Sequence, residues 1–161
     1  MKFISKIIFT AFSALMINLA NAAIDPQQIF DKKLSSPEQV TATKKSIKNS
    51  NEANLSIMVG CFMSTQIYIK NMIPSIGEKK LTAIGLASSD EANEILNRVL
   101  DVVDIHKKSF GSNADYVSKI KPYNSDFRSY FLDDIGGNQL RPNNKRVTAW
   151  LNACSALTYV Q

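Results

Sequence analysis

The chain has two cysteines, Cys61 and Cys154, and more than ninety residues separate them. What they can form depends on where the chain goes. The first 22 residues, MKFISKIIFTAFSALMINLANA, carry Lys2 and Lys6, then an apolar run from Ile7 to Leu19, then Ala20-Asn21-Ala22. This basic, apolar, small-residue order is that of a secretory signal peptide. It predicts cleavage after Ala22 and a mature helical domain over 23–161. An exported chain meets an oxidising compartment, where an even cysteine count reads as disulfide bonding. Two cysteines allow a single intramolecular pairing, Cys61 to Cys154, and a loop of this length is worth about 4–5 kcal/mol in the chain-entropy treatment. A redox role would call for the close CxxC spacing, which is absent. No cysteine stands at the cleavage point to take a lipid. No mature apolar run approaches the roughly 18 residues of a membrane span. The expected location is the periplasm, with secretion as the alternative.

Helix signals fill the mature chain. Asp25-Pro26 and Ser36-Pro37-Glu38 each read as an N-cap followed by proline at the first helical position. Ile29, Phe30 and Leu34 give the first helix its apolar face, and Val40 and Ile47 the second, to about Asn49. Asn51-Glu52 opens a long segment expected to end before Pro74. Its seam is Leu55, Met58, Val59, Phe62, Gln66, Ile69 and Ile73, and Ile57, Ile67 and Met72 occupy the other side. A helix apolar nearly all round belongs in the middle of a bundle. Leu81, Ile84 and Leu86 suggest a short helix after Pro74. Ser89-Asp90-Glu91 starts another, with Ile95, Val99, Val102, His106 and Phe110 on one face and Gly111 as its stop. A short piece with Tyr116, Val117 and Ile120 should end before Pro122. Ser125-Asp126 should start a further helix carrying Phe127, Tyr130, Phe131 and Ile135, terminated by Gly136-Gly137. The last helix, after Pro142, carries Val147, Trp150, Leu151, Cys154 and Leu157. No alternating run argues for a sheet, and no Asn-Gly or Asp-Gly hairpin signal occurs between β-rich runs. The fold class is therefore all-α, a single-domain bundle of five to seven helices with one long-range disulfide.

The residues argue against most catalytic chemistry. His106 is the sole histidine. It falls on an apolar seam, where a core-edge histidine with one hydrogen-bond partner explains it better than a base or metal ligand. With both cysteines paired, one histidine cannot anchor a zinc site, which needs three or four ligands. No HExxH, CxxCH, EF-hand, GxxxxGK[ST] or GxSxG spacing is present. Asp101 with Asp104, and Asp133 with Asp134, are the carboxylate pairs that acid–base work on sugars could use. A solvated helix face accounts for the first pair. No cofactor and no metal are expected. Removing Lys2 and Lys6 leaves 17 basic against 14 acidic residues. A charge near +3, with lysine pairs spread along the chain, does not call for nucleic acid. Asn54-Leu55-Ser56 matches a glycosylation sequon by chance, inside a helix expected to be buried.

One stretch reads as a recognition loop. Asp133, Asp134, Gly136, Gly137, Asn138, Gln139, Arg141, Pro142, Asn143 and Asn144 mix both charges with amides and glycines between two helices. Loops on a rigid scaffold are where binding concentrates. Asp133 and Asp134 are expected near a helix C-terminus, where acids oppose the helix dipole. Such a local violation points to binding rather than catalysis. The partner-binding candidates are Asp133, Asp134, Asn138, Gln139 and Arg141.

The mid-helix cysteine in SIMVGCF (56–62) and the final helix AWLNACSAL (149–157), following a signal peptide, resemble the small exported immunity proteins of bacterial type VI secretion, the Tai/Rap kind. The resemblance covers about thirty residues. It implies a periplasmic, helical, disulfide-linked and non-catalytic protein that binds and blocks a peptidoglycan amidase toxin. Family members often dimerise, so a homodimer is an implied partner state. The residues from Ser75 to Pro142 match no family pattern, so no partner-contacting residue carries over. Two other readings stay open: a periplasmic chaperone or structural interaction protein, and an enzyme with an unrecognised carboxylate site.

Overall fold

Side-chain caps set most of the helix starts. In a computed structural model, which describes residues 23–137 and 139–159, helix α1 (Pro26–Lys33) starts at Asp25, whose carboxylate accepts the N–H groups of Gln27 and Gln28. Helix α2 (Pro37–Ser46) starts at Ser36 in a capping box closed by Gln39. Asn51 caps α3 (Glu52–Ile67), and Ser88 with Glu91 forms the capping box of α6 (Ser89–Lys108). Ser112 caps α7 (Asn113–Phe131) and Asn143 caps α8 (Asn144–Thr158). Each such bond satisfies a donor that the first helical turn leaves free. The expected signal peptide, residues 1–22, lies outside the described residues.

Helix α3 occupies the middle and packs against α6, α7 and α8. Leu55, Ile57, Met58, Val59 and Cys61 are buried on its several faces, as its all-round apolar character requires. From α8, Val147, Trp150, Leu151, Cys154 and Leu157 all enter the core. The Cys61–Cys154 disulfide joins α3 to α8, with Cα atoms 5.6 Å apart and both residues fully buried. The all-α class and the single long-range crosslink are thus both observed. Trp150 stands at the centre of an aromatic cluster, edge-on to Phe127 at 4.9 Å and Phe131 at 5.9 Å, with Phe30 at 5.7 Å. Gly60 faces this cluster. A Cβ there would lie 2.6 Å from Phe127 Cε1 and overlap the Trp150 ring, so the absence of a side chain lets the indole reach the centre.

Both interior prolines depart from expectation. Pro74 does not end the long helix: α3 continues through a π-helical turn, Tyr68–Met72, into α4 (Ile73–Ile76). Proline lacks an N–H and crowds the carbonyl four residues back. The wider turn just before Pro74, in which Ile73 N–H bonds Tyr68 O, is a way to relieve that crowding. It also buries Tyr68, whose hydroxyl donates to Ala87 O at 2.6 Å. Counted as rods, α3, the π turn and α4 are one, and seven rods span the described residues. Pro122, likewise, lies inside α7 instead of separating two helices. Its position is exposed, so water can solvate the carbonyl it deprives of a partner. The stripe Tyr116, Tyr123, Phe127 and Phe131 runs buried past it, and packing of that stripe outweighs the local defect.

Smaller corrections follow the same logic. The short helix after α4 is α5 (Glu78–Ala83), where Leu81 is buried but Ile84 is 72% exposed beyond the helix end. Helix α6 stops at Ser109, whose N–H bonds the carbonyls of His106 and Lys107, and not at Gly111. Phe62, placed on the seam of α3, lies at the surface at 36% exposure. Among the described residues no helix is long and apolar enough to cross a membrane.

Candidate functional site

The stretch expected to be a helix end and loop is a small β-hairpin. Helix α7 stops at Phe131, and β1 (Leu132–Asp134) pairs antiparallel with β2 (Leu140–Pro142). The register sets Leu132 against Pro142, Asp133 against Arg141 and Asp134 against Leu140. Three-residue strands are too short to show alternation, which is why the sequence pattern concealed them. Asp133 and Asp134 consequently leave the helix, and the expected clash with its dipole does not arise.

The acids have local partners instead. Asp133 accepts from Asn143 Nδ2 at 3.1 Å and lies 3.7 Å from Arg146 Nη1. Arg146 also donates to Tyr130 O at 3.0 Å and stacks over the Tyr130 ring at 4.8 Å. Asn143 N–H donates to Phe131 O at 2.8 Å. The first turn of α8 is therefore bound to the end of α7, and the hairpin springs from a fixed base. Asp133 belongs to that base. Asp134 Oδ1 accepts Gly136 N–H at 2.8 Å, which tightens the turn.

The tip closes through Ile135 N–H to Gln139 O and Gln139 N–H to Gly136 O, at 3.1 and 3.2 Å. Gly136 and Gly137 adopt φ values of 91° and 62°, the left-handed region that favours glycine. Asn138 lies outside the described residues. Gln139 and Arg141 are exposed beside the tip. Two residues passed over as binding candidates stand out. Ile135, expected on a helix face, is 56% exposed, and Leu140 is 46% exposed. An isoleucine directly before a glycine pair was the available signal. The hairpin thus offers two apolar side chains flanked by charges of both signs.

The other candidates do not converge. Asp101 and Asp104 lie on the exposed face of α6, and Asp104 pairs with Lys107 at 3.2 Å. His106 is fully buried, and its Nε2 lies 2.7 Å from Ile47 O. A carbonyl only accepts, so Nε2 carries the proton. Asn54 is buried and donates to Ser46 O and Asn49 O at 2.7 and 2.9 Å. It holds the end of α2 and is closed to a glycan in the folded chain. Among the described residues no three His, Cys, Asp or Glu side chains gather as a metal site would require. An open groove of about 360 Å³ lies between α3, α6 and α7, walled by Met58, Phe62, Leu100 and Val117, with Lys107 and Asn124 also lining it. Comparison of the chain with family models, curated proteins and solved structures finds no match.

Proposed function

We propose that this chain is an exported binding protein of the inhibitor type, which acts by inserting the hairpin tip into a partner. The observation that carries the reading is the hairpin: Ile135 and Leu140 exposed at the tip, on a base fixed by Asp133, Asn143 and Arg146. Small apolar anchors ringed by polar groups on a fixed base are what protein recognition uses. The exported leader and the resemblance at Ser56–Phe62 and Ala149–Leu157 make a cell-wall-degrading toxin in the periplasm, a peptidoglycan amidase, the proposed partner. In this reading the chain supplies no catalytic group; it occupies a cleft and denies it to substrate. Whether it does so as a monomer or homodimer follows from the mass of the complex.

Inhibition of purified type VI amidases on isolated peptidoglycan, with calorimetry of each pair, tests the proposal. One amidase should be blocked at stoichiometric ratio. The double variant Ile135→Asp, Leu140→Asp should weaken that binding at least a hundredfold, on the order of 3 kcal/mol. Unchanged affinity in that folded variant would remove the hairpin from the interface. The groove on α3, α6 and α7 favours a second reading, a chaperone that shields apolar segments of unfolded clients. That reading calls for suppressed aggregation of unrelated proteins, lost in Leu100→Asp and retained in the hairpin variant.

A further inference from the structure

The start of the described chain is fastened to α7, more than a hundred residues along the sequence. Ile24 N–H donates to Asp126 Oδ2 at 3.0 Å, across 102 residues. Asp126 is half-buried on α7, and among the described residues no lysine or arginine forms an ion pair with it. The neighbouring contacts extend the attachment. Tyr130 Oη donates to Gln27 Oε1 at 2.7 Å, and Phe30 packs against Trp150. Helix α1 is thus a flap over the edge of the aromatic cluster, and Asp126 holds its first residue.

Successive backbone nitrogens lie about 3–4 Å apart along a chain. While residue 22 precedes it, the nitrogen of Ala23 is an uncharged amide. Cleavage after Ala22 turns that nitrogen into an ammonium, one residue from the carboxylate that already receives Ile24 N–H. We propose that Asp126 is the receptor for the processed N-terminus: removal of the leader creates the missing cation of a half-buried pair and locks α1 onto α7 and α8. The Asp25 carboxylate is occupied by the cap of α1. The ion pair exists only in the mature chain. The precursor lacks it, so the flap over Trp150 is held less firmly before export than after it.

This inference rests on the export reading, in particular on the cut after Ala22, and two separate measurements distinguish the failure of each. The first is the N-terminal residue of the exported protein, by Edman sequencing or intact mass. The second is a thermal double-mutant cycle on oxidised, purified chains. One chain begins at Ala23, freed from a cleavable fusion partner, and one carries two extra glycines before Ala23; each is made with Asp126 and with Asp126→Asn. The glycine extension moves the charge away without altering any side chain. It should lower Tm by about 2–4 °C when Asp126 is present and by less than about 1 °C in Asp126→Asn. The cycle cancels whatever Asp126→Asn costs through the Ile24 bond itself. Equal effects of the extension in both backgrounds overturn the ion pair and leave the export reading untouched. An exported chain that begins elsewhere than Ala23 overturns the proposal through the cleavage site, whatever the cycle shows.

Discussion

His106 is held toward its neutral form by its surroundings. Burial lowers its pKa, and the bond to Ile47 O opposes that shift only in part. The side chain therefore binds a proton less readily in the folded chain than in the unfolded one. Stability is complete above the unfolded value near 6.5 and is lost as pH falls toward the lowered folded value. Between pH 6.5 and 5.5 the Tm of the protein should decline, and in His106→Gln that part of the profile should flatten. A parallel slope in the two proteins would assign the acid sensitivity to carboxylates. Gly60 offers the opposite lesson in sign. Glycine to alanine in a helix interior ordinarily stabilises by about 1 kcal/mol. At Gly60 the new methyl meets Phe127 and Trp150, two fully buried rings packed edge to face. Gly60→Ala should therefore destabilise, by about 1–3 kcal/mol net of the propensity gain, measured by urea unfolding.

Among the elements, α7 shows most clearly what periodicity can and cannot reveal. Its N-cap, Ser112, and its buried aromatic stripe are both written in the sequence, yet Pro122 breaks the local rule in the middle. The stripe falls at helical spacings of seven, four and four residues, Tyr116, Tyr123, Phe127 and Phe131, all buried, with Phe127 and Phe131 against Trp150, so the tertiary gain exceeds the roughly 3 kcal/mol an interior proline costs. A pattern reader weighs the proline first because it is local; the folded chain weighs the rings. The same imbalance hid the continuation past Pro74. The caps at Asp25, Ser36 and Asn51 were legible because a cap is a local bond between near neighbours. The hairpin was not, because its strands are three residues long and its base is held by Asn143 and Arg146, ten or more residues from Asp133, which they touch. That the stretch joins two helices was legible; its fold as a hairpin, with Asp133 at the base and Ile135 and Leu140 at the tip, was not. Pro122→Ala should restore a bond to Ser118 O without disturbing the stripe. The variant should raise Tm by about 2–6 °C, since an exposed defect is removed and little else changes. A lowered Tm would mean that the bend made by Pro122 is what fits the rings to α3.

At the scale of the molecule, one covalent bond fixes the relation between the central rod and the last helix. Cys61 and Cys154 are 93 residues apart in sequence, and the segments between them form α4, α5, α6, α7 and the hairpin. Most of α8 and the end of α3 are inside the closed loop as well, and only α1, α2, the start of α3 and the last turn of α8 are outside it. The bond acts chiefly on the unfolded state, where it forbids the conformations in which the two ends of this loop drift apart. Its loss should be visible as such. Reduction, or the double variant Cys61→Ala, Cys154→Ala, should cost about 4–5 kcal/mol by the loop-length relation, with some further loss because two alanines pack less well than a disulfide at a fully buried site. That corresponds to a Tm lower by about 10–20 °C. The urea dependence distinguishes the two contributions. A freed unfolded chain exposes more surface, so the m-value should rise in the reduced protein. A packing defect alone would lower the midpoint and leave m unchanged. An unchanged m-value together with a loss below about 2 kcal/mol would show that noncovalent contacts among Trp150, Phe127 and Phe131 already confine α8 against α3, and that the sulfur bridge adds little to a bundle that closes by itself.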